Sequence, residues 1–225
     1  MDIAEAIRQR MSIRAFRPDP VPQEILREIM ELAIRAPSGS NMQSWEFTVV
    51  QGKKLEEIRQ AFTERATQPP NFDFPMPPWR PSEPYDSRRR NVLIGLQQKK
   101  GIAREDKEKR RQFLLQGVRL WGAKAAIYIY IDGALYKQGE NFSVWPIFDC
   151  GMVAENIMLL ATAYGLGTAC LLQAASYPDV LRSVLGIPDS KLIVLGIAIG
   201  YPDWDDPVNE FRSERAPLDE IVRWC

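Results

Sequence analysis

The stretch "RAPSGSNMQSWEFTVVQG", from Arg35 to Gly52, changes character twice. It starts as the end of an apolar-striped helix. It finishes as a strand, residues 45–51, of β-branched and aromatic residues. Between them stand Pro37, Ser38, Gly39, Ser40, Asn41 and Gln43. A plain connection does not need so many small hydrogen-bonding groups. Gly39 permits close approach of the backbone to a ligand. Asn41 and Gln43 can read the edge of a planar heterocycle with paired donors and acceptors. An ordinary helix C-cap and turn is the competing reading.

Working outward, helices and strands are interspersed. Residues 2–10 read as a short helix with Ile3, Ala6 and Ile7 on one face and Asp2 as its cap. In "PQEILREIMELAIRA", Ile25, Ile29, Leu32 and Ala36 recur at helical spacing, and Pro22 suits the first turn. "KKLEEIRQAF" is helical again. "KAAIYIYIDG", "TACLLQ" and "KLIVLGIAIGYP" read as strands, with a helix at "YPDVLRSVLG". "FDCGMVAENIMLLATAYGLG" is an almost wholly apolar helix ending at glycine, expected to be buried all round, centrally or at a subunit interface. With no internal repeat, this order predicts an α/β or α+β layered domain spanning 1–225.

The segment "QPPNFDFPMPPWRPSEP", Gln68 to Pro84, is loaded with proline and carries Phe72, Phe74 and Trp79. It predicts no regular structure. A charged helical stretch, "AREDKEKRRQFLLQGVRLWG", follows. Residues 68–112 therefore read as a surface excursion from the core, either a lid or dimer contact or a floppy insertion.

Composition excludes several classes. Lys plus Arg equal Asp plus Glu at 29 each, which argues against bulk electrostatic binding to nucleic acid or an anionic membrane. No apolar run is expected to reach the length of a membrane span, and "DIAEAIRQR" after Met1 is not a leader peptide. Cys150, Cys170 and Cys225 form no CxxC pair, so a reduced, cytoplasmic location is expected. The chain has no histidine, which rules out a Ser-His-Asp or Cys-His mechanism and any His-bearing zinc site. An enzyme built this way needs another carrier for its chemistry, such as a cofactor.

"RQRMSIRAF" supplies Arg10, Ser12 and Arg14. An extended chain turns all three to one side, because strands alternate with period two. Two guanidiniums flanking a hydroxyl make a phosphate clamp, or else a solvated basic surface. "FRSERAPLDEIV" adds Arg212 and Arg215, which alone read as surface arginines.

The ordered series "RQRMSIRAF", "APSGSNMQSWEF", "GLGTACL", "LGIP", "GIAIGYP" and "RAPLDEIV" resembles the FMN-dependent nitroreductase family from about residue 3 to 222. The resemblance implies an α+β three-layer sandwich with a mostly antiparallel central sheet flanked by helices, in an intertwined homodimer with FMN at the interface. It implies that Arg10, Ser12 and Arg14 bind the FMN phosphate and ribityl chain, with Arg215 on the phosphate and Arg212 beside it. It places Pro37, Ser38 and Gly39 next to the partner's flavin, and Asn41 and Gln43 on the ribityl or ring edge. Cys170, Leu171 and Leu172 match the segment facing the flavin N5 side. Trp45 anchors the strand behind the turn. NAD(P)H is the implied electron donor, in a ping-pong reduction of nitroaromatic or related planar acceptors. Reductive dehalogenation, quinone or ene reduction, and non-catalytic FMN binding are alternatives on the same scaffold.

Two departures stand out. Many family members have "NxQPW" where this chain has "NMQSW", so Ser44 replaces a proline. The N5-facing segment, often Trp-Ile-Gly or Ile-Glu-Gly, is Cys-Leu-Leu-Gln here, a bulkier apolar lining that bears on substrate choice. "EPYDSRRRN", "GIAREDKE" and "FRSERAPL" look most like the nitrobenzoate-type members. By that likeness Tyr85, Arg88 or Arg89 pairs with a substrate carboxylate over the flavin; a solvated charge cluster is the alternative.

Overall fold

A computed structural model describes residues 1–76 and 81–225; Trp79, singled out above, lies outside the described residues. The elements run α1 (Ile3–Gln9), α2 (Gln23–Ala33), β1 (Trp45–Gln51), α3 (Gly52–Arg65), α4 (Tyr85–Lys99), α5 (Lys107–Val118), β2 (Ala125–Asp132), α6 (Gly133–Tyr136), β3 (Lys137–Gln138), β4 (Asn141–Phe142), α7 (Trp145–Ala163), β5 (Gly167–Leu171), α8 (Pro178–Leu185), β6 (Lys191–Gly200) and α9 (Leu218–Ile221). A four-stranded sheet in the order β1-β2-β6-β5 forms the middle layer, and every pairing is antiparallel.

Period two decides the layers. In β2, Ala125, Ile127, Ile129 and Ile131 join one core with α2 and α7. Ala126, Tyr128 and Tyr130 join the other, with α3 and α8. Helices thus cover both faces, which is why β2 reads as an unbroken apolar run. Each fully buried isoleucine contributes about 1.5–3 kcal/mol. The register between β2 and β6 shifts at Ile129/Tyr130. Asp2 caps α1 as expected, its carboxylate accepting the Glu5 N–H at 2.8 Å.

Several faces differ from the sequence expectation. In α1 only Ala6 is buried, while Ile3 and Ile7 are 67% and 56% exposed. In α2 the buried residues are Leu26, Ile29 and Ala33, and Leu32 faces outward. Within the single chain α7 is buried on one side: Cys150, Val153, Ile157 and Ala161 turn inward, whereas Trp145 and Phe148 are open. By length and composition α7 is also apolar enough to cross a membrane, contrary to the expectation. It packs within the fold against α1, α2 and β5, and it carries the fully buried Asp149.

The proline-rich segment is pinned where it leaves the core. The Asp73 carboxylate accepts the Ile193 N–H and pairs with Arg182, both at 2.8 Å. Phe74 meets Tyr136 edge-on at 4.9 Å. Beyond it α4 and α5 share a small core of Leu96, Phe113 and Val208, against which Phe211 packs.

Gly167 sets the position of the N-terminal segment. A Cβ there would come within 2.4 Å of Ile13. Its absence lets residues 12–16 lie against β5 and β6. The Ile13 N–H donates to the Thr168 carbonyl at 2.8 Å, and Ser12 bridges Thr168 in parallel.

Candidate functional site

With Ile13 buried against β5, the alternation turns Arg10, Ser12 and Arg14 the other way, into a cleft of about 540 Å³. Arg212 and Arg215 line the same cleft, brought in by the chain after β6. Arg8 also lines it, so five arginines converge. The carboxylate in the lining is Glu155, 3.5 Å from the Arg10 Nε. Sequence reasoning passed over Arg8 and Glu155; each sits on a helix with no local pattern to mark it.

Arg14 is the most constrained of the set. Burial lowers its pKa to about 10, and among the described residues it has no carboxylate partner. Its guanidinium donates to the Ser12 carbonyl at 3.1 Å and stands 6.0 Å from the Trp121 ring centroid. Trp121 is held in a backbone conformation that non-glycine residues rarely take: φ is 56° at Leu120, 54° at Trp121 and 79° at Gly122. Arg59 staples this turn from below, donating to the carbonyls of Arg119 and Ala123. Strain of this kind persists only where the surroundings enforce it. Arg212 donates to the Gln9 carbonyl at 2.9 Å and Arg215 to the Ser213 Oγ at 2.8 Å, which leaves both without an acidic partner among the described residues.

A half-buried guanidinium without a counter-ion favours an anion, because partial desolvation strengthens the attraction. The cleft therefore suits the phosphate of a phosphorylated cofactor. No cluster of His, Cys, Asp and Glu suited to a metal ion occurs among the described residues.

The turn that opened the sequence reading lies elsewhere on the protomer. None of Pro37, Ser38, Gly39, Asn41 and Gln43 lines the arginine cleft. Gly39 has no positive φ; the left-handed positions are Ser40, Asn41 and Gln43, at 50°, 58° and 50°. What Gly39 supplies is its N–H, which donates to the Asp149 Oδ1 at 3.1 Å. Ser44 Oγ donates to the other oxygen, Oδ2, at 3.0 Å. The Ser38 Oγ closes the loop by accepting the Gln43 N–H at 2.9 Å. The Asp149 carboxylate, wholly buried in α7, thus grips both ends of a strained turn whose middle faces solvent.

Cys170 lies on β5 within reach of the charges of Arg10 and Glu155. The residue is open to solvent, yet enough protein surrounds the thiol that burial, with Glu155, raises its pKa while Arg10 opposes. A raised pKa disfavours the thiolate, so Cys170 is no activated nucleophile. Leu171 is half-buried and Leu172 is exposed beside it.

On α4, Arg88 lines a second hollow, about 630 Å³, which shares Val92, Phe211, Arg212, Ser213 and Arg215 with the first. Arg88 pairs with Glu220 at 3.5 Å and stands 5.8 Å from the Tyr85 ring centroid. Tyr85 and Arg89 line neither hollow. Arg89 is engaged by Asp86 at 2.7 Å, so for Arg89 the charge-cluster reading describes its contacts.

Fold and cleft together define a three-layer α+β sandwich with an anion-collecting site. The chain belongs to the nitroreductase family, whose profile matches residues 7–201. It is similar to the nitroreductase NfnB of Mycolicibacterium smegmatis, with 32% identity over 100% of this chain and 94% of that relative. It is similar to a 4-nitrobenzoate reductase of a Nocardioides species, with 27% identity over 96% of this chain and 87% of the relative. The crystal structure of the FMN- and NADPH-dependent nitroreductase NfnB from Sphigopyxis sp. strain HMH superposes with a TM-score of 0.91 at 32% identity, covering 100% of this chain and 99% of that one.

Proposed function

We propose that this protein is an FMN-dependent NAD(P)H oxidoreductase that reduces nitroaromatic or related planar acceptors as a homodimer. The observation that carries the reading is Arg14, a half-buried cation with no acidic partner among the described residues, in a cleft of five arginines. Family membership supports FMN as the ligand of that cleft.

Arg10, Ser12, Arg14, Arg212 and Arg215 hold the phosphate and ribityl chain. Pro37, Ser38 and Gly39 reach the site from the second protomer, and Asn41 and Gln43 offer polar contacts to the ribityl chain or ring. Cys170, Leu171 and Leu172, open or half-open on the single chain, offer a largely apolar lining to the reacting side. Arg88, with Tyr85, orients a substrate bearing a carboxylate. When bound, the flavin supplies the two-electron redox chemistry, from NAD(P)H to the nitro group. Donor and acceptor would use the same site in turn, a ping-pong order in which the oxidised donor leaves before the acceptor binds. The chain has no histidine, and protons come from water.

The dimer is supported by apolar residues left open on the single chain: Ile3 and Ile7 on α1, Trp145 and Phe148 on α7, and Ile221 and Trp224 at the C-terminus. Three free cysteines fit a reduced cytoplasmic location. Steady-state NAD(P)H oxidation by FMN-loaded protein tests the function. Turnover that needs a nitroarene supports it. Flavin binding without turnover with any acceptor would reduce the protein to a flavin carrier.

A further inference from the structure

Arg14 and the pair Arg212 and Arg215 come from opposite ends of the chain. Bringing like charges together is unfavourable until an anion arrives, so something must hold the two segments in place beforehand. The side chain of Asn209 sits at that junction. It is 2% exposed. Its Oδ1 accepts the Arg14 backbone N–H at 2.8 Å, across 195 residues of sequence. Its Nδ2 donates to the Ala15 carbonyl at 2.8 Å and to the Asp203 carbonyl at 2.7 Å. Two residues further along, Phe211 opens the segment that carries Arg212 and Arg215.

We infer that Asn209 is a positioning residue that sets the N-terminal and C-terminal arginines in register for the phosphate of the cofactor. The inference rests on the FMN reading given above.

The amide suits this task for a chemical reason. It both accepts and donates, so it can tie one N–H and two carbonyls at once. It is also uncharged. An aspartate of the same shape could accept the Arg14 N–H, but it would set a carboxylate against two carbonyl oxygens. It would also add a negative charge beside a site that collects anions.

The test compares FMN with riboflavin, which has the same ring system and no phosphate. Both are titrated into flavin-free protein by fluorescence quenching, using wild type, Asn209→Asp and the milder Asn209→Ser. Wild type prefers FMN. In both variants FMN affinity falls about tenfold or more, while riboflavin affinity, which depends only on the ribityl and ring contacts, falls by a much smaller factor. Parallel loss of both ligands would make Asn209 a general structural residue and overturn the inference. So would unchanged FMN affinity. Asn209→Ser carries the comparison should Asn209→Asp not fold. Wild type that binds neither flavin would remove the FMN reading itself, and this inference with it. Wild type that prefers FMN, with variants that keep the preference, removes the inference alone.

Discussion

The Arg14 guanidinium stands 6.0 Å from the Trp121 ring centroid, and the tryptophan is its neighbour where an acid would usually be. An aromatic face stabilises a cation without neutralising it. Arg14 therefore keeps its charge available to a ligand. Replacing Trp121 by leucine is expected to weaken FMN binding about two- to fivefold, the worth of one partly desolvated cation–π contact. Replacing Arg14 by methionine should cost about tenfold or more, since a charge-assisted bond is lost. Equilibrium titration of the two variants checks both values.

The same residue sets a pH dependence. The folded pKa of Arg14, about 10, lies below the ordinary value of an arginine because burial disfavours the charge. Between the two, the unfolded chain binds more protons than the folded one, so this group alone makes flavin-free protein more stable as pH rises across that window. Its attraction for phosphate runs the other way and is lost as pH rises through about 10. The ratio of FMN to riboflavin affinity should hold up to about pH 10 and fall above it. In Arg14→Met the ratio should be flat.

How much of this was legible in the sequence depended on the range of the interactions. Strand β1 was read with its observed bounds, Trp45–Gln51, because period two and the glycine after it are local signals. The alternation of Arg10, Ser12 and Arg14 was legible for the same reason. Helix α4 is not legible as a helix. Its sequence, "YDSRRRNVLIGLQQK", has no one-sided apolar stripe, and packing near Val208 and Phe211 secures it instead. What covers the open faces of α1 and α7 is not legible, because a periodic pattern gives a stripe and not what packs on it. Asn209 carried no signal, since its partners lie up to 195 residues away.

Asp149 holds Gly39 and Ser44 with its two oxygens. Removing the hydroxyl in Ser44→Ala leaves one oxygen unsatisfied in a buried place. The expected loss is about 1–2 kcal/mol of unfolding free energy. Asp149→Ala strands both donors and should cost more, about 2–4 kcal/mol. Urea denaturation of each variant measures these values. Equal stability of Ser44→Ala and wild type would show that the bond is not used.

Substrate choice is predicted at Arg88. Arg88→Ala should raise KM for 4-nitrobenzoate about tenfold and leave nitrobenzene turnover unchanged, because only the former carries a carboxylate for the guanidinium to pair with. Arg89→Ala should leave the preference as it is, since Arg89 lines neither hollow and is held by Asp86 at 2.7 Å, whereas Arg88 lines the second hollow with its Glu220 partner farther off at 3.5 Å. A full preference for 4-nitrobenzoate retained by Arg88→Ala would remove Arg88 from the site.

The central claim meets its most direct test in a visible absorption spectrum of the FMN-loaded protein under anaerobic conditions. NADPH is added first and 4-nitrobenzoate second. The account predicts a flavin band that bleaches with the donor and returns with the acceptor, both half-reactions in one cuvette. A protein that takes up no flavin even after reconstitution would contradict it, and the arginine cleft would need another ligand.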